Sequence, residues 1–151
     1  MTLVKVFHNP TAGEAEHTQE KLVKKLQNAG FKCSYSSTKK GITAKRIPAR
    51  TDFIVIAGGD GSVRSVAEYY CSGKMLDKRH PIGLLPWGTA NNIAFILGQS
   101  GTTEEIIESW KKQSTQSFDV GKVHGLNKSH FFLEGCGFGV FPKLIRTMRK
   151  R

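Results

Sequence analysis

Short apolar runs alternate with amphipathic stretches along most of the chain, and the period of the apolar positions switches between them. Leu3–His8 reads as a strand and Asn9–Gly13 as a turn. From about Glu14 to Ala29 the pattern is that of an amphipathic helix, with Ala15, Leu22, Leu26 and Ala29 along one stripe and Gly30 placed to end it. Phe31–Ser37 alternates as a second strand, and Ile42–Ala49 predicts a short helix that stops near Pro48. Phe53–Ala57 is apolar throughout, as expected of a central parallel strand covered on both faces. Ser62–Cys71 has a helical pattern, Pro81–Leu85 is a fourth apolar strand, and a helix is expected after Pro86-Trp87-Gly88 through about Leu97. Thr102 and Glu105 have the spacing of a capping box, ahead of an apolar face made by Ile106, Ile107 and Trp110.

This order, β-α-β-α-β-α-β-α, predicts an α/β fold: a Rossmann-like three-layer domain with a parallel sheet and helices on both faces. After Gln113 the pattern changes. Ser117–Val123 and His130–Gly137 are two strands separated only by the short polar loop His124–Ser129, which predicts an antiparallel hairpin. A Gly/Phe stretch and a basic helical tail, Ile145–Arg151, follow. The expected organisation is one α/β domain over 1–125 and, over 126–151, the start of a β-rich domain left incomplete.

Composition narrows the class. The 151 residues are 38% hydrophobic and 23% charged, which suits a globular domain and excludes a disordered chain. No window approaches the ~20 apolar residues that a membrane-spanning helix needs, and Met1–His8 lacks the pattern of a signal peptide. Cys33, Cys71 and Cys136 have neither metal-ligand nor disulfide-framework spacing, so they are expected to be small buried thiols in a reducing cytoplasm. The formal net charge is +11, with basic clusters at Lys39, Lys40, Lys45, Arg46 and Arg50 and again at Lys143, Arg146, Arg149, Lys150 and Arg151. Such a surface attracts nucleotides, nucleic acid or an anionic membrane, and charge alone does not choose among them.

Three loops carry the candidate chemistry, each directly after an apolar strand: Asn9-Pro10-Thr11-Ala12-Gly13, Gly58-Gly59-Asp60-Gly61-Ser62, and Pro86-Trp87-Gly88-Thr89-Ala90-Asn91-Asn92. In an open parallel sheet the carboxyl ends of the strands form the ligand crevice. The glycines of the second loop permit positive φ and leave N–H groups uncovered, and the helix that follows adds its N-terminal N–H groups, so a phosphate fits there. Asp60 would repel a bare phosphate, which suggests phosphoryl chemistry mediated by a divalent cation. A tight βα turn with Asp60 as helix N-cap stays open beside that reading. The P-loop pattern is absent, and Gly59-Asp60-Gly61-Ser62-Val63-Arg64 lacks the third glycine of a dinucleotide fingerprint.

Taken together and in this order, the three loops resemble the catalytic domain of diacylglycerol kinase-type lipid kinases, a family that includes sphingosine and ceramide kinases and has NAD kinases as distant relatives. Phe118–Val123 and Phe131–Gly139 resemble the family's passage into its second domain, so the likeness covers nearly the whole chain. The resemblance implies ATP and Mg2+ as cofactors and a lipid hydroxyl, on diacylglycerol or a related lipid, as acceptor. It places Asn9, Pro10, Thr11, Ala12, Gly13 and Thr38 at the nucleotide, Gly59, Gly61, Ser62, Val63, Arg64 and Ser65 around its phosphates, Asp60 at the metal-bridged γ-phosphate as the catalytic candidate, Thr89 on phosphate and Asn91 as the residue ordering its loop. Ser62 stands where threonine is common, keeping the hydroxyl; Asn92 stands where many members have aspartate, removing a charge. The family's base, metal ligands and much of the lipid cleft lie in a second domain, so no metal ligand is assigned here and no turnover is expected of these residues alone.

The remaining residues add less. His8, His17, His80, His124 and His130 form no triad or ligand spacing and are expected to be solvated or packed; His8 alone ends a strand beside the first loop, where facing a ligand stays open. Trp87 reads as a loop residue packed at the cleft mouth. Asp119 and Glu134 read as ordinary polar positions on the hairpin. Phe131, Phe132, Phe138 and Phe141 are dense enough to predict exposed aromatics and self-association. The basic tail reads as a solvated end, with contact to an anionic peripheral membrane surface open beside that reading. Two rival readings are a kinase of a soluble substrate of the NAD kinase kind and a non-enzymatic basic module; no specific nucleic-acid signature is present.

Overall fold

The computed structural model describes residues 1–13, 17–43, 46–74, 80–112, 114–125 and 130–148. They form two compact units, Met1–Phe118 and Asp119–Arg151. In the first, β1 (Leu3–His8), β2 (Lys32–Ser37), β3 (Phe53–Gly58) and β4 (Ile82–Pro86) make one sheet in the order β2-β1-β3-β4. Every neighbouring pair is parallel. Helices α1 (Gln19–Asn28), α2 (Asp60–Tyr69), α3 (Asn92–Ile96) and α4 (Thr103–Ser109) connect and follow these strands. The fold is the α/β arrangement that the alternation of patterns predicts.

Side chains on a strand point alternately to the two faces, and both faces are covered. Val4, Val6, Val55, Ala57 and Leu85 gather with Leu22 and Leu26 of α1 and with Ile106 and Ile107 of α4 in one core. The alternate positions Phe7, Ile54, Ile56 and Leu84 are also buried, as are Val66 of α2 and Ile93 and Ala94 of α3. Double coverage is why β3 shows no polar face in the sequence. Because β1 lies between β2 and β3, the chain reverses its direction of travel across the sheet there. The carboxyl ends of β1 and β3 flank that switch point, where open α/β sheets bind ligands.

Several boundaries differ from expectation. Helix α1 starts at Gln19 because Thr18 caps it, its hydroxyl accepting from the Lys21 N–H; Glu14 and Ala15 lie outside the described residues. Helix α2 starts at Asp60, with Gly59 as N-cap, and ends in a π-helical turn, Tyr70–Lys74. The described residues of Ile42–Ala49 form no α-helix; Arg46 is 3-10 in conformation, its N–H bonding the Thr43 carbonyl at 3.0 Å, and Ala44 and Lys45 lie outside the described residues. Ile47 precedes Pro48, which disfavours the α conformation, and Thr43 is β-branched. The capping box of α4 is complete: Thr102 Oγ1 accepts from the Glu105 N–H, and the Glu105 carboxylate accepts from the Thr102 N–H at 2.7 Å.

In the second unit, β5 (Gly121–Val123) and β6 (His130–Phe132) form the antiparallel hairpin, both shorter than expected. Helix α5 (Val140–Met148) follows, and Arg149, Lys150 and Arg151 lie outside the described residues. Phe131 and Phe132 are half-buried and Phe138 is 76% exposed; the side chain of Phe141 lies outside those described. The cysteines are free, but Cys136 is exposed and Cys33 and Cys71 only half-buried, against the expectation of buried thiols. Among the described residues no helix is long and apolar enough to cross a membrane.

One core position is occupied by a cation. Lys5 on β1 is 2% exposed. Its Nζ donates to Ser36 Oγ at 2.7 Å and to Ser34 Oγ at 3.4 Å and lies 5.3 Å from the centre of the Phe7 ring. Burial, and then the nearby Arg46 charge, bring its pKa down to about 8. In the unfolded chain the amine keeps its proton to higher pH, so between about 8 and 10.5 the unfolded state binds more protons and stability rises with pH. The stability of the wild type relative to Lys5→Met is therefore expected to climb across that interval, by up to about 3 kcal/mol. Denaturant unfolding of both proteins at pH 7.5 and pH 10 checks this, and parallel pH profiles would contradict it.

Candidate functional site

The parallel register sets the three loops side by side. His8 pairs with Ala57 and Gly58 with Pro86, so β1, β3 and β4 end at one level. The Asn9 N–H donates to the Ala57 carbonyl at 2.9 Å and the Trp87 N–H to the Gly58 carbonyl at 3.2 Å, extending the pairing into the loops. A cavity of about 730 Å³ lies between them. The first loop contributes Asn9, Thr11, Ala12 and Gly13; the end of β2 contributes Thr38 and Lys39; the second loop and α2 contribute Gly59, Gly61, Ser62 and Ser65; the third loop contributes Gly88 and Thr89.

Each loop is fixed locally. Asn9 Oδ1 accepts from both the N–H and the hydroxyl of Thr11, closing a turn that the Ala12 N–H to Asn9 carbonyl bond completes. The third loop is held by Asn91, the one non-glycine with positive φ among the described residues. Its Oδ1 accepts from the Gly88 N–H at 2.8 Å, and its Nδ2 donates to the carbonyls of Pro86 and Gly88.

The glycines act differently from expectation. None of Gly58, Gly59, Gly61 or Gly88 has a positive φ. What they permit is close approach: a Cβ on Gly59 would stand 3.0 Å from the Gly88 Cα, and one on Gly88 only 2.8 Å from Asn91 Oδ1. The second and third loops thus touch backbone to backbone. Gly61 is unlike them, because a Cβ there would meet nothing within 4 Å. No protein neighbour requires a glycine at this lining position, in the first turn of α2, where N–H groups lack intrahelical acceptors.

Asp60 is turned away from the cavity. Its Oδ2 accepts from the Asn92 N–H and its Oδ1 from the Ile93 N–H, both at 3.1 Å. It therefore caps α3, not its own helix, and ties the second loop to the third. Pro10 lines a second cavity beyond the Thr38–Lys40 turn. Arg64 is on the exposed flank of α2, paired with Glu68 at 3.0 Å, and Val63 lies on the same helix outside the lining. Gly88 lines the cavity from within the third loop, where it was assigned no role of its own, and Lys39, adjacent to Thr38, lines it although it was legible only as part of a basic cluster. Trp87 is buried, donates from Nε1 to Thr103 Oγ1 and stacks on His17 with ring centres 4.1 Å apart.

The lining carries one cation, Lys39, and no carboxylate or imidazole among the described residues. Hydroxyls, the helix N-terminus and that ammonium are groups whose chemistry suits a phosphate-like anion. No group of three potential metal-binding side chains occurs among the described residues. Asp60 gives both carboxylate oxygens to N–H groups outside the lining, so no carboxylate of the described lining stands ready to hold a divalent cation. His8 is buried with Nδ1 on the Tyr35 hydroxyl at 2.9 Å, and its Nε2 has no hydrogen-bond partner. Burial, and then the adjacent His17, lower its pKa, while the main chain of His17 pulls the other way.

The family model described as the diacylglycerol kinase catalytic domain matches residues 3–123. The diacylglycerol kinase of Bacillus subtilis (strain 168) is 28% identical over 155 residues, an alignment spanning 95% of this chain and 48% of that protein. That of Staphylococcus haemolyticus (strain JCSC1435) is 27% identical over 127 residues, spanning 80% of this chain and 38% of that one. The chain thus spans less than half the length of these relatives. A crystal structure of a diacylglycerol kinase from Bacillus anthracis superposes with a TM-score of 0.58 at 21% identity, over 78% of this chain and 42% of the other, which shows a shared fold.

The bridging role of Asp60 has a consequence in the absence of any ligand. Asp60→Asn leaves one of two backbone donors facing an amide, so the ligand-free protein is expected to lose about 1–3 kcal/mol. Gly88→Ala, which pushes against Gly59 and Asn91, is expected to be at least as costly. Urea denaturation checks both, and an Asp60→Asn protein as stable as wild type would show that the carboxylate does not hold the loops.

Proposed function

The chain belongs to the diacylglycerol kinase catalytic domain family, and from that premise we propose that it is the nucleotide-holding part of an ATP-dependent lipid kinase. The observation that carries the reading is the single cavity enclosed by three strand-end loops, with Gly59, Gly61 and Ser62 at the N-terminus of α2 on one side and Thr38 and Lys39 on the other. A kinase must hold a triphosphate, and this lining offers backbone N–H groups, hydroxyls and one ammonium with no opposing carboxylate. The acceptor we propose is the hydroxyl of diacylglycerol or a related lipid, the substrate named for the relatives.

Phosphoryl transfer depends chiefly on positioning and on stabilising charge at the transferring group. In the proposed reaction the lipid oxygen attacks the γ-phosphorus, the bond from that phosphorus to the β–γ bridging oxygen breaks, and ADP departs with the electron pair. Gly59–Ser65 and Thr89 would hold the phosphates, Asn9–Gly13 and Thr38 the rest of the nucleotide, and Lys39 would offset charge. Mg2+ brought with ATP would supply further charge neutralisation, while the Asp60 carboxylate, bonded to the Asn92 and Ile93 N–H groups, would have to turn from them to meet it. The hydroxyl's proton needs an acceptor outside the described lining, so nucleotide binding without turnover is expected of these residues. A lipid substrate implies contact with a membrane surface. Lys143 beside the exposed Val140, Leu144, Ile145 and Met148 of α5 suits an anionic one, and the same apolar stripe would support self-association.

Gly61→Val gives the sharpest test, because its Cβ meets open space and the side chain enters the cavity. Stability should be kept or slightly raised, since glycine in a helix is unfavourable, while affinity for ATP with magnesium falls at least about tenfold. Calorimetric titration and thermal unfolding of the same samples check both. Unchanged affinity in a stable variant would remove the phosphate reading. Magnesium-dependent phosphorylation of diacylglycerol by the 151-residue chain would overturn the assignment of the proton acceptor.

A further inference from the structure

A second cavity, of about 810 Å³, lies on the far side of the Thr38–Lys40 turn and shares no lining residue with the first. Neighbours in sequence are divided between the two. Asn9, Thr38 and Lys39 line the first; Pro10, Ser37 and Lys40 line the second. The first residues of α1, with their partial positive charge, border the second cavity through Thr18 and Gln19.

Its polar groups are mostly donors with hydrogens to spare. Ser36 Oγ already accepts from Lys5 Nζ, and Ser37 Oγ from the Lys39 N–H, so each hydroxyl hydrogen is left to donate. Arg46 gives Nη1 to the Gly41 carbonyl at 2.9 Å and keeps its other N–H groups. Lys40 adds an exposed ammonium. His8, 1% exposed, borders the cavity, and its Nε2 has no hydrogen-bond partner among the described residues. Among the described residues a carboxylate that opposes these groups is Glu20, whose charge is felt at Tyr35. Two cationic side chains, spare hydroxyls, a buried imidazole bonded through Nδ1 only and a helix N-terminus converge on one space.

We infer that this cavity is a second anion site, separate from the loop cavity, and that it takes a phosphate monoester, free in solution or carried on a lipid headgroup. A tetrahedral dianion with several acceptor oxygens matches donors that approach from the ends of β1 and β2, from α1 and from Arg46; a planar carboxylate would reach fewer of them. The site is also mechanically joined to the first, since a ligand drawing on Ser37 and Lys40 grips the three-residue turn that presents Thr38 and Lys39 to the other side.

The test is a titration of the full chain with inorganic phosphate at constant ionic strength, followed in 1H–15N correlation spectra. Saturable shifts are expected at the amides of His8, Gln19 and Ser37, about tenfold weaker in Lys40→Gln and in Arg46→Gln and unchanged in Ser65→Ala. Lys40 makes no structural bond on which folding depends, so its variant decides the matter if Arg46→Gln fails to fold. Shifts confined to Gly59–Ser65, shifts reproduced by chloride, or wild-type binding by both variants would overturn the inference. Sedimentation with phosphatidylcholine vesicles containing phosphatidic acid separates the two sources. Binding lost in Lys40→Gln and competed by phosphate assigns a headgroup, and phosphate binding without vesicle binding assigns a free ligand.

Discussion

One carboxylate holds together what would otherwise be two independent loops. Helix α3 is only five residues long, too short to persist alone, and its N-cap Asn91 spends its side chain on its own loop. The first N–H groups of such a helix need acceptors from elsewhere. Asp60 supplies them from across the cleft, at the favourable end of the α3 dipole. The contact between Gly59 and Gly88 then fits the two backbones together. The cavity's shape follows from this pair of constraints, and an acidic residue in a glycine-rich loop ceases to be anomalous, because its carboxylate is engaged in holding the loops.

The sheet sets a second condition. Parallel strands must be crossed over by helices on the faces, so both faces are dry and every strand end of interest lies at one edge. Lys5 is the exception to the dry interior. Its ammonium reaches Ser36 on edge strand β2, where a neighbouring strand is lacking on one side and a polar stem can be accommodated. The serines of β2 that look like ordinary edge polarity are the partners of that buried charge. They also stand beside the second cavity, so core electrostatics and surface chemistry meet on one strand.

What was legible in the sequence was what local chemistry decides. The four apolar strands and the capping box of Thr102 and Glu105 need only neighbours within a few residues, and they stand where the pattern places them. The loops were legible as a set because each follows such a strand. What was not legible depended on distant partners. The reason Gly59 must be glycine lies 29 positions away, at Gly88, and concerns close approach, not the backbone angle its composition suggests. Asp60 reads equally as a cap for its own helix until Asn92 and Ile93 are seen beside it. The apolar run Leu3–His8 says nothing of the β2 serines that bond Lys5 inside it, and the helical pattern of Ile42–Ala49 runs into the step before Pro48, which disfavours an α-helix.

The stacking of Trp87 on His17 gives the molecule an optical gauge of its own. The rings lie nearly parallel, 5° apart, and the indole also meets His8 edge-on. Indole emission is sensitive to an imidazole in such contact, and Trp87 sits at the root of the third loop with its Nε1 tethered to Thr103. The other tryptophan, Trp110, is packed against Phe31 and Phe53, away from the loops. Any displacement of the third loop alters the face-to-face overlap at Trp87 while leaving the Trp110 surroundings alone. Loop motion is therefore written into the protein's native fluorescence, readable without a label.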